Sequence, residues 1–257
     1  MLSFPGIMAV EFIKIRQRFL TACASAVLLA CSAHAQEGGD LQARILYAYQ
    51  TQDWANLREI QQTLTDSIQA GAPTAALRYH LAHADYRMGL LAGSQERVTG
   101  KERLEDCVAQ LDELQTQAEV SPEVLALQAL CYVELAKVKK LQAALLRARA
   151  ADRINRADKM APRNPRVLLV RAFEKVQAGT PARPIPHELE QCVMMFERSS
   201  GTGNDAPGWG HAEAYLLMGH ELRVRGDIDG ARNWIEKALI AAPDFKVAQL
   251  ELTLLNR

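Results

Sequence analysis

Residues 212–245 read Ala-Glu-Ala-Tyr-Leu-Leu-Met-Gly-His-Glu-Leu-Arg-Val-Arg-Gly-Asp-Ile-Asp-Gly-Ala-Arg-Asn-Trp-Ile-Glu-Lys-Ala-Leu-Ile-Ala-Ala-Pro-Asp-Phe, and this stretch decides the fold. Tyr215, Met218 and Leu222 recur at the helical period, as do Ala231, Ile235 and Ala238. Gly226 and Asp227 stand where the first helix must end and the second begin, one as a left-handed C-cap and the other as an N-cap. Pro243 closes the second helix. The stretch is therefore a helical hairpin.

The spacing Tyr215, Met218, Gly219, Leu222 resembles the W-x2-L-G-x2-Y signature of the tetratricopeptide repeat, with apolar residues of like kind in each place. Ala231, Ile235 and Pro243 resemble its A-x3-F and later proline. Ala150, Ile154, Ala157 and Pro162 repeat the spacing of Ala231, Ile235, Ala238 and Pro243, as the rear half of a second repeat. With Asn164-Pro165-Arg166 and Trp209-Gly210, residues 120–250 resemble exported bacterial tetratricopeptide proteins. The resemblance implies an interaction scaffold whose concave surface, built from the first helix of each pair, holds a peptide or protein.

Outward from this hairpin the chain reads as further helices, with degenerate repeats over 40–198. Trp54, Leu57, Ile60, Leu64 and Ile68 follow the helical period, and so do Leu77, Leu81, Ala84, Met88 and Leu91. Helices are predicted over 101–118 and 122–138, with a break near Lys139 to Ala144, and then over 167–178, 187–198 and 244–255. Gly179 to Pro186 and Ser199 to Gly210 read as loops. The expectation is an all-α, tetratricopeptide-like α-solenoid of about five hairpins plus a capping helix, filling residues 36–257. With 49% apolar and 6% aromatic residues, its core is mainly Leu and Ala.

Residues 1–35 read as an export signal. Lys14, Arg16 and Arg18 precede the apolar stretch Phe19 to Ala30, and Ala33-His34-Ala35 is an A-x-A cleavage site. Leu28-Leu29-Ala30-Cys31 also resembles a lipobox, so the alternatives are cleavage after Ala35 or lipidation at Cys31. The expected location is the periplasm, or the envelope membrane if Cys31 carries lipid. Beyond the signal, Cys107, Cys131 and Cys192 remain, an odd number. Cys107 and Cys131 fall at similar heights on neighbouring predicted helices around Ser121-Pro122, so a disulfide or two buried thiols are both open.

The 30 basic and 30 acidic residues balance, and without residues 1–35 the count is 27 against 29. No basic stripe is expected to neutralise phosphates, which argues against nucleic acid. Candidate partner-binding residues are Glu213, Leu216, His220 and Arg223, opposite the packing face of Tyr215, Met218 and Leu222. A second set is Tyr79, His83 and Tyr86, which with Leu90 form a stripe rotated about 180° from Leu77, Leu81, Ala84 and Met88. Their helix is either sandwiched between neighbours or lines a groove. His80 and His83 could share a metal, but no third ligand stands at ligand spacing, so neither metal nor cofactor is expected. Cys192 lies among apolar residues and reads as a buried thiol rather than a nucleophile. The function expected is a non-enzymatic scaffold that binds another envelope protein; the alternative is a solute-binding accessory of a transport system, its ligand enclosed beneath the two loops.

Overall fold

In a computed structural model, the described residues are 40–71, 74–92, 97–117, 120–178, 184–199 and 208–255. The candidate signal, Cys31 and most of the two loops lie outside them. The chain divides into the units Met1–Leu41 and Gln42–Arg257, and the packing below is that of the second.

Among the described residues the fold is wholly helical. Helix α1 spans residues 40–50, and ten more follow: α2 (Trp54–Gln69), α3 (Ala75–Leu91), α4 (Arg97–Gln117), α5 (Pro122–Val138), α6 (Ala143–Met160), α7 (Pro165–Ala178), α8 (His187–Ser199), α9 (His211–Val224), α10 (Ile228–Ala241) and α11 (Lys246–Leu254). The expected break after α5 is a single 3-10 turn, Lys140–Gln142. Short polar side chains set where many helices begin. Asp53, Thr74, Ser121 and Asp227 each accept a hydrogen bond from a backbone N–H three residues on, satisfying a donor the helix cannot. Pro165, like Pro122, opens its helix where a missing N–H costs nothing.

Packing is strongest within the pairs α3/α4, α5/α6, α7/α8 and α9/α10. Successive pairs then meet through α4/α5, α6/α7, α8/α9 and α10/α11, and α5 also packs on both α3 and α7. The α9/α10 contact explains Gly219. A Cβ there would lie 2.6 Å from Ile235 Cγ1 and 3.1 Å from the carbonyl oxygen of Ala231, so the helices touch backbone to side chain. Ala231, Ile235 and Ala238 are fully buried against it. Gly226, at φ +83°, makes the left-handed turn between the two helices.

α3 is the most enclosed of the early helices. Every residue from His80 to Met88 is buried, and the helix packs against α2, α4 and α5. Both of its apolar faces are thus used, and the sandwich expected as one alternative holds for most of its length. A disulfide joins Cys107 on α4 to Cys131 on α5, with Cα atoms 6.5 Å apart. Cys192 is free and buried, its thiol donating to the carbonyl of Pro165 at 3.2 Å.

Candidate functional site

A cavity of about 490 Å³ opens along one side of α3, α5, α7 and α9. Its wall is assembled from Tyr49 of α1; Tyr86, Arg87 and Leu90 of α3; Leu130, Glu134 and Lys137 of α5; Leu169 and Phe173 of α7; Leu216, Leu217 and His220 of α9; and Phe245 with Val247 and Glu251 at α11. Trp209 and Glu213 join it at the start of α9, and Val176 and Gln177 at the end of α7. Every helix represented is odd-numbered. The lining is largely aromatic and aliphatic, which suits apolar side chains or an apolar small molecule.

The charges along the wall are paired. Arg87, only 3% exposed, donates from Nη2 to Glu213 Oε1 at 2.6 Å and from Nε to His83 Nε2 at 3.0 Å. Its guanidinium also lies 4.4 Å from the centre of the Tyr49 ring. Burial is the largest influence and opposes the charge of Arg87, but Glu213 together with Tyr49 and Tyr86 outweighs it and the pKa rises. Glu213 serves α9 as well, since its Oε2 accepts from the Gly210 N–H at 3.0 Å. Gly210 takes φ +107°, and a Cβ there would stand 2.8 Å from the Phe196 ring. One carboxylate therefore caps α9 and fastens it to α3. At the rim Lys137 pairs with Glu134 at 2.7 Å, and Glu251 pairs with Arg223 behind the wall at 2.9 Å.

His83 receives the Arg87 N–H on Nε2, so its proton resides on Nδ1, which is buried with no partner among the described residues. Burial, then the positive charge of Arg87, push its pKa well below the usual histidine value. It is a neutral polar element of the core. Tyr79 accepts from Trp209 Nε1 at 2.8 Å, and burial raises its pKa. Arg166, at the start of α7, donates to the Trp209 carbonyl at 3.1 Å, so Trp209 is held on both sides.

Of the residues singled out in sequence, the structure brings Glu213, Leu216, His220 and Tyr86 together at the cavity. Arg223 stands behind it, acting on the wall through Glu251. Tyr79 and His83 do not line it; they are the buried support beneath Trp209 and Arg87. Sequence reasoning missed Arg87, Tyr49, Phe173 and Phe245. Arg87 lies four residues after His83 on the same stripe, so spacing is the signal that could have found it. Among the described residues no group of three metal-ligating side chains converges, and His80 and His83 have no third ligand. No helix among them is long and apolar enough to cross a membrane.

No family model matches the chain, and no curated protein matches it either.

Proposed function

We propose that the protein is a non-enzymatic interaction scaffold, a tetratricopeptide-like α-solenoid that receives an apolar segment of another envelope or periplasmic protein. One observation carries the reading: the cavity is walled by α1, α3, α5, α7, α9 and α11, with no residue from an even-numbered helix. Stacked hairpins with their first helices turned inward give that pattern. Recognition would rest on aromatic and aliphatic pockets, with the paired charges at the rim setting register. Export follows from the reading of residues 1–35.

The partner is sought by crosslinking in living cells, followed by affinity purification. Leu216→Trp and Phe173→Trp place bulk in the cavity without removing any paired charge. Recovery of one envelope protein with the parent, and its loss with both variants at unchanged melting temperature, is the expected result. A partner retained by both variants rules out the cavity as the binding site.

A second reading, a solute-binding accessory of a transport system, draws on the same cavity. Its volume lies within the roughly 300–1,000 Å³ usual for small-molecule sites, and the rings of Tyr49 and Phe245, 6.2 Å apart, bring α1 to the start of α11 beside it. Under that reading nothing crosslinks, while apolar compounds raise the melting temperature of the parent and not of Leu216→Trp.

A further inference from the structure

Although the charges of the whole chain balance, eight basic and two acidic residues fall between positions 139 and 163. They occupy α6 and its flanking turns. The core face of α6 is Leu146, Ala150, Ile154 and Ala157. Leu145, Arg149, Arg156, Lys159 and Met160 follow one another at helical spacing on the opposite side, within a sector of about 100°. All five are exposed.

Part of this charge is answered within the fold: Lys139 pairs with Glu105 of α4, and the Arg149 guanidinium lies 5.9 Å from the centre of the Tyr132 ring. Asp152 pairs with its neighbour Arg153 at 2.7 Å, and Asp158 with Arg171 of α7 at 2.6 Å. Lys140, Arg147, Arg156, Lys159 and Arg163 have no ion-pair partner among the described residues. Large apolar side chains stand at both ends of the same surface. Val138, Leu141 and Leu145 are 43%, 105% and 54% exposed at one end, and Met160 is 51% exposed at the other. Leu141, on the 3-10 turn, touches nothing that would hide it.

We propose that this face docks on a lipid bilayer containing anionic phospholipid. Headgroup phosphates complement Arg149, Arg156 and Lys159, while Leu141, Leu145 and Met160 enter the boundary between headgroups and acyl chains. Nucleic acid would complement the cations but leave the leucines in water, so the combination favours lipid. Because α6 lines none of the cavity, docking leaves the cavity open. The inference is independent of what the cavity binds.

The test is sedimentation of the full chain with vesicles of phosphatidylcholine alone or mixed with phosphatidylglycerol. Binding is expected only to the mixed vesicles at about 0.1 M salt, and to weaken at least about tenfold at about 1 M, where charges act over only about 3 Å. The triple variant Arg149→Glu, Arg156→Glu, Lys159→Glu lowers partition by more than roughly tenfold, each reversal acting on a charge near the surface. Leu141→Ser with Leu145→Ser lowers it several-fold, again with unchanged helicity. Residues 14–30 can themselves favour a bilayer, so α6 needs its own reporter: the indole introduced by Leu145→Trp is quenched by brominated lipid. Equal sedimentation of parent and variants, or an unquenched indole, overturns the proposal. So does retention of a short DNA duplex by the parent, lost in the triple variant, with no vesicle binding.

Discussion

Asp85 couples this protein's stability to pH. Its side chain is 1% exposed, accepting from Arg103 at 3.1 Å and from Gln61 at 3.2 Å. Burial pushes its pKa up to about 7, against the pull of Arg103. In the unfolded chain an aspartate titrates near ~3.9. Between these values the native state holds a proton the unfolded state has released, so Asp85 makes stability rise as pH falls from about 7 to about 4. Buried His80 and His83, whose pKa values burial lowers, act in the opposite sense over part of that range, so the contribution of Asp85 is read as a difference: on acidification the urea midpoint of Asp85→Asn should gain less, or lose more, than that of the parent. A second residue-scale prediction concerns Glu213. Its removal leaves Arg87 charged and buried, so Glu213→Ala should cost about 3–5 kcal/mol in chemical denaturation. Most of that loss should return when Arg87→Met is added, since neither charge is then stranded. Glu213 was visible in sequence as an inward position, but its partner 126 residues away was not. Periodicity places a residue on a face; it carries no information about which distant face comes to meet it.

At the level of elements, sequence and structure agree best where the chain punctuates itself. The cap at Asp227, the turn at Gly226 and the turn at Ser121-Pro122 lie in residues whose side chains or backbone act locally. The break between α5 and α6 has no Gly or Pro to mark it, and was legible only because an unbroken helix would have been too long. α3 was the hardest to read, since apolar residues on two faces fit both a sandwich and a groove wall. It does each: its middle is enclosed, and its last turns reach the cavity. Two predictions belong to helix pairs. Gly219→Ala should destabilise by about 1–3 kcal/mol, because the new methyl overlaps Ile235 and neither backbone can retreat freely. For the α4/α5 pair, Cys107→Ala with Cys131→Ala should cost about 3 kcal/mol, as expected for a bridge closing a loop of this length. Urea denaturation measures both. The second loss should be matched in the parent by reductant.

Over the whole molecule, the charge balance read from composition concealed its distribution. A total near zero excluded a uniformly basic surface, yet it could not register that eight basic and only two acidic residues fall between positions 139 and 163. The cavity was equally hidden from composition, for its walls come from six helices spread over some 200 residues of chain. The contact of Tyr49 with Phe245 has a consequence for biosynthesis. The wall is complete only when Phe245, Val247 and Glu251 have been added to what α1 began. A nascent chain therefore passes through most of its synthesis with an unfinished site and its aromatic lining uncovered. Chains stopped at Pro243 should bind a hydrophobic dye more strongly than the full-length protein. Completion of the cavity would then report that translation has reached α11, and a chain cut short before it would present to chaperones and proteases the aromatic lining that the full wall encloses.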